Sequence, residues 1–303
     1  MADQTVVSAA AIINAFFETL TAKPSALDSI KTGQVYFVEG NAGNNVNDGS
    51  DWEHAFKTLA YALAISHASI NKTAGWAARN TIFCKGDYLD EDLTKLAQKT
   101  DIIGVGSCDD QPRCRLVGTH VIPDATGGID YMGCRFFNMD FRDDGESSNW
   151  TITNQSGIEF HNCRFERQSN GTYGITANAC CRMKFISCEF LPDAQGGLFT
   201  TAAILLDGAN RPHIIDCIIY GVIGIYITST AGTVVPLIKN NTIYATGITI
   251  DDDSDLAMIV GNRLVSAANK ATLGNVLDYN AKLGCDNILT GNDGTIHCPA
   301  ETA

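Results

Sequence analysis

Long apolar runs, clustered basic residues and short catalytic signatures are all missing from this 303-residue chain. No window approaches the roughly 18 consecutive apolar residues of a membrane-spanning helix, so we expect no membrane span. Lysine and arginine total 21 against 34 aspartates and glutamates, and the net charge of −13 argues against nucleic acid as a partner, because phosphate binding needs clustered cations. No G-x-S-x-G elbow, Walker loop or H-E-x-x-H motif is present.

A secretory signal is also absent from the first residues. The stretch from Met1 to Thr5 has no basic region followed by an uninterrupted apolar run and a small-residue cleavage site. We therefore expect the product, as written, to begin in a cytoplasm.

Cysteine, by contrast, is plentiful, with 11 residues. The number is odd, the chain is long and several cysteines fall at a repeat spacing, so we predict a reduced, buried stack rather than a disulfide framework. Two pairs stay open as disulfides, Cys108 with Cys114 and Cys285 with Cys298. Zinc is not expected, because the adjacent Cys180-Cys181 pair is not a C-x-x-C hook and the repeat cysteines lack histidines at ligand spacing.

Seven short phrases that begin with Cys or Asn recur along the back two-thirds of the chain. They are Cys134-Arg-Phe-Phe, Cys163-Arg-Phe, Cys188-Glu-Phe, Cys217-Ile-Ile, Asn241-Thr-Ile, Asn262-Arg-Leu and Asn287-Ile-Leu. Their spacings of 21 to 29 residues match one coil of a parallel β-helix, whereas leucine-rich repeats need a different leucine pattern. The repeat therefore predicts a solenoid.

Equivalent residues of successive coils should stack. We predict one aromatic stack from Phe136, Phe165 and Phe190, continued by aliphatic residues at Ile219, Ile243, Leu264 and Leu289. The repeat asparagines Asn241, Asn262 and Asn287 are expected to point inward and to bond both to turn backbone and to the asparagine of the next coil. Their role is then structural.

The chain divides into a helical attachment or capping segment, 1–33, and a β-helix domain, 34–303. An amphipathic helix is predicted over residues 5–20, and Pro24 follows as a stop. Its apolar stripe consists of Val6, Ala9, Ile13, Phe16 and Leu20. This helix either docks onto the solenoid or attaches the protein to another subunit.

A second helix is predicted just after the first strand, Val35–Val38. Ser50 and Glu53 have the spacing of a capping box, and one helical face continues from Trp52 to Leu63. We expect this helix to cap the end of the solenoid, with a buried face of Phe56, Leu59 and Leu63. A further helical turn is predicted from Asp90 to Gln98.

The coils, the Val35–Val38 strand, the Gly43–Gly49 loop and the Trp52–Leu63 helix together resemble the right-handed parallel β-helix proteins of the pectate-lyase-like superfamily. The Ile103-Gly-Val-Gly106 phrase is similar to an early-coil phrase of that group. The resemblance implies an all-β, right-handed parallel β-helix over about residues 34 to 298. It also implies one of two functions, because members include polysaccharide lyases and hydrolases as well as trimeric bacteriophage tailspikes, fibres and other virion proteins.

Candidate chemistry is sparse, and the sequence assigns no catalytic residue, cofactor or metal ligand. The acidic run Asp251–Asp255 is either a cation site for calcium or a solvated turn, and the Gly43–Gly49 loop is either a calcium site or a turn held by its own side chains. Three carboxylates, Glu189, Asp207 and Asp216, are candidates for the pair that glycoside hydrolysis needs.

Charges also follow the repeat. We predict that Arg135, Arg164 and Arg263 project outward along one line with Glu189 and Asp286, as a surface ladder of ion pairs or as a substrate groove. His161 and His213 are expected to be turn or surface groups rather than a catalytic base.

These observations favour a bacteriophage-type structural virion protein, such as a capsid decoration, fibre or tail-associated component, that assembles in the host cytoplasm. Its expected partners are other copies of itself, as a homotrimer, and other virion proteins, with a cell-surface glycan as an open possibility. The alternative is a polysaccharide-active lyase or hydrolase.

Overall fold

The structure is a computed structural model. It describes residues 33–70, 78–86, 89–106, 114–124, 131–143, 148–168, 171–194, 196–228, 235–252 and 257–266, and the backbone alone at 71–72, 272–273, 282–283 and 288–290. The helix predicted over residues 5–20 lies outside these ranges, and so do Cys108, Cys285, Asn287 and Cys298.

The described strands form three parallel sheets, and the chain visits them in turn as it winds into a solenoid of about six turns. Sheet A contains 10 described strands, sheet B 9 and sheet C 7. Each strand inside a sheet pairs with the equivalent strands of the coils before and after it, and each edge strand pairs with one of them. This arrangement confirms the predicted all-β parallel solenoid.

Sheet A consists of β1 (Val35–Glu39), β2 (Asn80–Lys85), β4 (Thr100–Gly104), β7 (Arg135–Phe137), β10 (Glu159–His161), β13 (Lys184–Ile186), β16 (His213–Ile215), β19 (Leu237–Lys239), β22 (Met258–Val260) and β25 (Lys282–Leu283). Sheet B consists of β3 (Leu89–Asp90), β5 (Cys114–Val117), β8 (Met139–Arg142), β11 (Arg164–Glu166), β14 (Glu189–Leu191), β17 (Ile218–Gly221), β20 (Thr242–Ala245), β23 (Arg263–Ser266) and β26 (Ile288–Thr290). Sheet C consists of β6 (His120–Ile122), β9 (Ser148–Thr153), β12 (Tyr173–Asn178), β15 (Ala202–Asp207), β18 (Ile223–Thr228), β21 (Ile250–Asp252) and β24 (Thr272–Leu273).

One helix is present in the described part of the chain, α1 (Leu59–Lys72). Its first turn is capped by Glu91, whose two carboxylate oxygens accept from the backbone N–H groups of Leu59 and Ala60 at 2.6 and 2.8 Å. A carboxylate at this end also complements the helix dipole. The Thr58 hydroxyl accepts from the next free N–H group at 3.3 Å.

The predicted helix start at Trp52, with its capping box, is wrong. Asp48 Oδ1 accepts from the Ser50 N–H at 2.9 Å, and Asp51 Oδ1 accepts from the Glu53 N–H at 2.9 Å. These local bonds give the backbone an alternative to the helix, as short acidic side chains often do.

Leu59 and Leu63 are buried on the inner face of α1, as predicted. Phe56 is buried as well, but it precedes the helix and forms a bridge with Val38. The helix packs against β1 and β2. Within the described residues, no helix is long and apolar enough to cross a membrane.

The helical turn predicted from Asp90 to Gln98 is also wrong, because residues 91–97 are irregular. The Leu93 N–H donates to His120 Nδ1 at 3.2 Å, and the Leu93 carbonyl accepts from the Val121 N–H at 3.0 Å. Bonds to sheet C therefore take the place of the bonds that a helix would make within itself.

Two aromatic stacks fill the central coils. They consist of Phe136, Phe160 and Phe185 under sheet A, and of Phe141, Phe165 and Phe190 under sheet B. Ring centroids lie 5.1 Å apart for Phe136 and Phe160, and 4.5 Å apart for Phe165 and Phe190, with planes within 8° and 5° of parallel. The predicted single stack is wrong at Phe136, because Cys134 precedes a strand of sheet A whereas Cys163 precedes one of sheet B. The continuation of the sheet B stack is confirmed at Ile219, Ile243, Leu264 and Leu289.

One inward position at the corner between sheets A and B carries the Cys/Asn repeat. In register, its occupants are Cys114, Met139, Cys163, Cys188, Cys217, Asn241 and Asn262. The residue just before the last six of these adopts a left-handed backbone, with φ from 51° to 67°. Those residues are Asn138, Asn162, Ser187, Asp216, Asn240 and Gly261. We call this position the corner ladder.

Cysteine and asparagine in the corner ladder donate to equivalent carbonyls. Cys217 Sγ lies 3.5 Å from the carbonyl of Phe185 in the previous sheet A strand, and Asn241 Nδ2 lies 2.9 Å from the matching carbonyl of Ile214. Asn262 Nδ2 repeats this bond to Ile238 at 3.0 Å. A thiol is only a weak donor, so asparagine strengthens a bond that the thiol already makes.

Asparagine also adds an acceptor that links the coils. Asn241 Oδ1 accepts from the Cys217 N–H at 2.8 Å, and Asn262 Oδ1 accepts from both the N–H and the Nδ2 of Asn241 at 2.8 and 2.9 Å. The predicted structural role is confirmed for Asn241 and Asn262.

Candidate functional site

Outward-facing titratable groups of sheet A meet in a cluster that we call the sheet A triad, Glu159, His161 and Lys184. Glu159 and His161 lie two residues apart on β10, so both side chains leave the same face, and β13 places Lys184 beside Glu159. Glu159 Oε2 lies 2.8 Å from His161 Nε2, and Glu159 Oε1 lies 2.7 Å from Lys184 Nζ. The ring of Phe137 stacks on His161 at 4.8 Å between centroids.

The charged row continues toward the first coils through Asp101. Its carboxylate oxygens lie 2.7 Å from Arg79 Nη1 and, in a two-pronged contact, 2.7 Å each from Arg135 Nε and Nη2. Arg135 is in turn the register neighbour of Glu159. Cations and anions therefore alternate along this face of sheet A.

The hydrogen bond from His161, with support from Lys184, lowers the pKa of the Glu159 carboxyl to about 2. Partial burial opposes this shift but does not outweigh it. The carboxylate is therefore ionised at neutral pH, where it can orient His161 and Lys184 but cannot serve as a general acid. Proton transfer at the triad would fall to His161 or Lys184.

Sheet B carries a second set of ion pairs between coils. The pairs are Arg115 with Asp140 at 2.7 Å, Arg142 with Glu166 at 2.8 Å and Arg164 with Glu189 at 3.1 Å. The predicted ladder is thus confirmed for Arg164 and Glu189. The prediction for Arg135 is wrong, because this residue lies on sheet A. Arg263 lies on sheet B in the same row as Glu189, but Ile218 and Thr242 separate the two. Asp286 lies outside the described residues.

The three candidate carboxylates for glycoside hydrolysis lie on different parts of the coil. Glu189 is on sheet B, and Asp207 ends a strand of sheet C, where it accepts from the Thr228 hydroxyl at 2.7 Å. Asp216 occupies the left-handed turn before the corner ladder. The fold does not unite them in one site. His213, like His161, lies on a strand of sheet A, beside Lys184, as expected of a surface group.

The described cysteines are free thiols, and all but the half-buried Cys181 are buried. Burial raises the pKa of Cys134 and of Cys180 to about 12, and it raises the pKa of Cys188 well above the usual value for a thiol. Thiols that stay protonated are poor nucleophiles and poor metal ligands. The predicted buried stack is confirmed for Cys163, Cys188 and Cys217, which are successive free thiols of the corner ladder.

The sequence left two segments open between a cation site and a turn, and their outcomes differ. In the Gly43–Gly49 loop, Asn44 Oδ1 accepts from the Val46 N–H at 3.2 Å, and Asn47 Nδ2 donates to the Ala55 carbonyl at 3.0 Å, as expected of a turn held by its own side chains. The Asp251–Asp255 run is described only at its first two residues, which lie in β21. Across the described ranges, no three His, Cys, Asp or Glu side chains are grouped as a metal site.

A buried polar corner between sheets B and C was missed in the sequence. Arg167 Nη1 lies 3.4 Å from Asp193 Oδ2, Asp143 Oδ2 accepts from the Gln168 N–H at 3.0 Å, and Asp193 Oδ1 accepts from the Gly197 N–H at 2.7 Å. The carboxylates of Asp143 and Asp193 thus stabilise turns by accepting from backbone N–H groups. The signal is an acidic or basic residue one or two positions after three consecutive sheet B strands, β8, β11 and β14, and it becomes visible only when the register is known.

The sheet A triad was missed for a related reason. The alternation Glu159-Phe-His161 places both polar side chains on one face of a strand, and this much is readable from the sequence. Lys184 joins them only through the pairing of β10 with β13, which the repeat phrases do not reveal because they mark sheet B.

Comparisons of the chain with protein-family models, with curated proteins and with solved structures gave no match.

Proposed function

We propose that this protein is a structural component of a bacteriophage particle, such as a capsid decoration, fibre or tail-associated protein. In this role it presents a rigid, right-handed parallel β-helix of the pectate-lyase-like type, with α1 as the cap of one end. The observation that carries the proposal is the pairing of outward charges across coils on sheets A and B. Each pair joins neighbouring coils and leaves less charge for an external ligand.

The central coils favour a rod rather than a contact surface. Between Val121 and Ile218, no large apolar side chain of the described residues is exposed. A surface of paired charges over a packed aromatic core suits a stiff spacer that must not aggregate.

The late coils, by contrast, offer a contact surface. Ile218 and Met258 are 40% and 55% exposed on the outer faces of sheets B and A, and Val235 is exposed just before β19. We assign this surface to a second copy of the chain, because parallel copies would bring the same apolar strip against itself and because the family resemblance implies trimers. Tyr220 and Tyr244 stack on each other with centroids 4.6 Å apart, so each ring covers one face of the other, which suits a packed contact better than a glycan platform.

The thiols support assembly in a host cytoplasm. Buried, reduced cysteines fit a protein that folds in a reducing cytoplasm, and virion proteins do so in their host before lysis releases them.

Light scattering of the purified full chain, followed on the same sample by a screen for cleavage of diverse polysaccharides, tests the proposal. A stable oligomer that cleaves no glycan supports it. Turnover of any polysaccharide overturns it in favour of a glycan depolymerase.

The sheet A triad favours a polysaccharide-active lyase or hydrolase as the second candidate function. If the chain cleaves a glycan at the triad, His161→Gln should abolish turnover. Glu189→Gln, which removes an outward carboxylate from sheet B, should leave turnover intact. Equal loss in both variants would argue that the site lies elsewhere.

A further inference from the structure

Two arginines at the corner where the chain enters sheet A have an unusual backbone. Arg182 and Arg211 lie two residues before β13 and β16, and they adopt left-handed φ angles of 55° and 54°. The equivalent residues of the two coils before them are Gly133 and Gly157, at φ 73° and 65°. Glycine adopts this conformation without strain, whereas the Cβ atom of arginine is disfavoured in it. Arginine in place of glycine therefore indicates a function for the side chain.

Arg211 and Asp216 lie at opposite corners of the same coil. Arg211 precedes β16 by two residues, and Asp216 follows β16 directly, also in left-handed backbone at φ 56°. Both are exposed, and neither side chain makes an ion pair with a described residue. The extended segment between them separates their Cα atoms by roughly 16 Å, at about 3.3 Å per residue. They therefore do not pair with each other within one chain.

Each of these corners also exposes an apolar side chain. Val235 occupies the position of Arg211 in the next coil, because Leu237 pairs with His213, and Ile218 follows Asp216 by two residues. We call Arg211 with Val235 the entry corner and Asp216 with Ile218 the exit corner. The two corners are opposite in charge and alike in apolar character, as expected of two surfaces that fit each other.

We propose that the entry corner of one copy binds the exit corner of the next in a closed ring of parallel copies, with Arg211 paired to Asp216 of the neighbour. When the A sheets of all copies face the axis of the ring, their strands run in the same sense around it. The start of each strand then lies beside the end of the neighbour's strand at the same height, which is the head-to-tail contact of a cyclic oligomer. Met258, exposed on sheet A, faces the axis. This inference rests on the proposed function, whose contact with a second copy it assigns to a residue pair.

Charge reversal tests the pair in the full chain. Arg211→Asp and Asp216→Arg each place like charges across the contact, and each should raise the dissociation constant of the oligomer by on the order of tenfold in sedimentation at a series of concentrations. The double variant exchanges the two charges and should restore the wild-type constant. Both residue types already hold left-handed backbone at these corners, so the exchange adds no new kind of strain. Lys57→Asp and Glu53→Arg make the same charge changes at exposed residues of the first loop and should leave the constant unchanged.

An equal mixture of Arg211→Asp and Asp216→Arg provides a second measurement. Opposite charges face each other wherever copies of the two variants are neighbours, so mixed oligomers should form at lower concentration than oligomers of either variant alone. Native mass spectrometry identifies them, because the two variants differ in mass.

The possible failures are distinguishable. An oligomer that neither single substitution weakens overturns the pairing of Arg211 with Asp216 and leaves the proposed oligomer in place. A double variant or a mixture that is as weak as the single variants does the same. A monomeric wild type instead overturns the self-association in the proposed function, and the ring contact with it.

Discussion

The same coil is built in two ways in the central and late parts of the solenoid. In the central part, residues 114–207, the core contains the two stacks of phenylalanine rings, and the corner ladder is mostly cysteine. In the late part, residues 213–266, branched aliphatic residues such as Ile238 and Ile243 replace the rings, and the ladder changes from Cys217 to Asn241 and Asn262. The parallel register continues unbroken through both parts, so it does not depend on one kind of core.

The outer surfaces differ as well. Central coils pair their charges across sheets A and B, whereas late coils expose Ile218 and Met258 at the corresponding rows. The same outward position of the coil therefore carries a paired charge in the central part and an exposed apolar side chain in the late part. We assign the first to the stiffness of the rod and the second to contact with another copy.

The aromatic core should be the larger contributor to stability. Phe160 lies between Phe136 and Phe185, with centroids at 5.1 and 5.5 Å, so Phe160→Ala leaves a cavity between stacked rings and should cost about 3–5 kcal/mol. Ile238→Ala, at the same register position in the late part, should cost about 2–4 kcal/mol. Urea unfolding followed by circular dichroism measures both, and a larger loss for Ile238→Ala would reverse the comparison.

In the corner ladder, by contrast, asparagine should contribute more to the free energy of unfolding than cysteine does. Asn241→Ala leaves the Cys217 N–H and the Ile214 carbonyl without their partner, which should cost about 2–4 kcal/mol. Cys217→Ala removes a weak thiol bond and one sulfur atom and should cost about 1 kcal/mol. Equal losses in urea unfolding would mean that the amide contributes only through its volume.

Acid should weaken the first coils through His120. This ring is buried against Trp150, with centroids 4.5 Å apart, and burial lowers the pKa of His120 to about 3 from a usual value of 6.5. Because the folded pKa is the lower one, the contribution is fully present above about pH 6.5 and is lost as the pH falls toward 3.

The loss should amount to about 2 kcal/mol between pH 7 and pH 5. His120→Phe keeps a ring against Trp150 and should flatten the pH dependence of the urea midpoint. An unchanged pH dependence in His120→Phe would assign the acid sensitivity to another group.

Substitutions in the left-handed turns should change stability least, and they should stabilise the protein rather than destabilise it. Ser187 and Asn240 hold left-handed backbone at φ 53° and 57° before the ladder positions Cys188 and Asn241. Ser187→Gly should stabilise the protein by about 0.5–1 kcal/mol, because a Cβ atom is disfavoured in this conformation. Asn240→Gly should change stability less, since asparagine tolerates it better. A gain in melting temperature for Asn240→Gly alone would contradict this reasoning.

The repeat was readable in the sequence because Cys163, Cys188, Cys217, Asn241 and Asn262 lie at one position of the coil. Cys134 was wrongly counted as a repeat position. Both Cys134 and Cys163 begin the phrase Cys-Arg-Phe, but the strand that follows Cys134 is in sheet A and the strand that follows Cys163 is in sheet B. Pairings between coils, such as Lys184 with Glu159, require the register and could not be predicted from spacing alone. The start of α1 was missed because its cap, Glu91, is distant in the sequence.

The assembly surface on the late coils is tested most directly by light scattering of Met258→Glu beside Val121→Glu at equal concentration. Met258 is 55% exposed on sheet A of the late coils, and Val121 is 43% exposed on sheet C of the first coils, so both changes place a charge on an exposed apolar position. We expect the wild type and Val121→Glu to have the same oligomeric mass and Met258→Glu to be monomeric. An oligomer that survives Met258→Glu, or a monomeric wild type, would contradict the assignment of this surface.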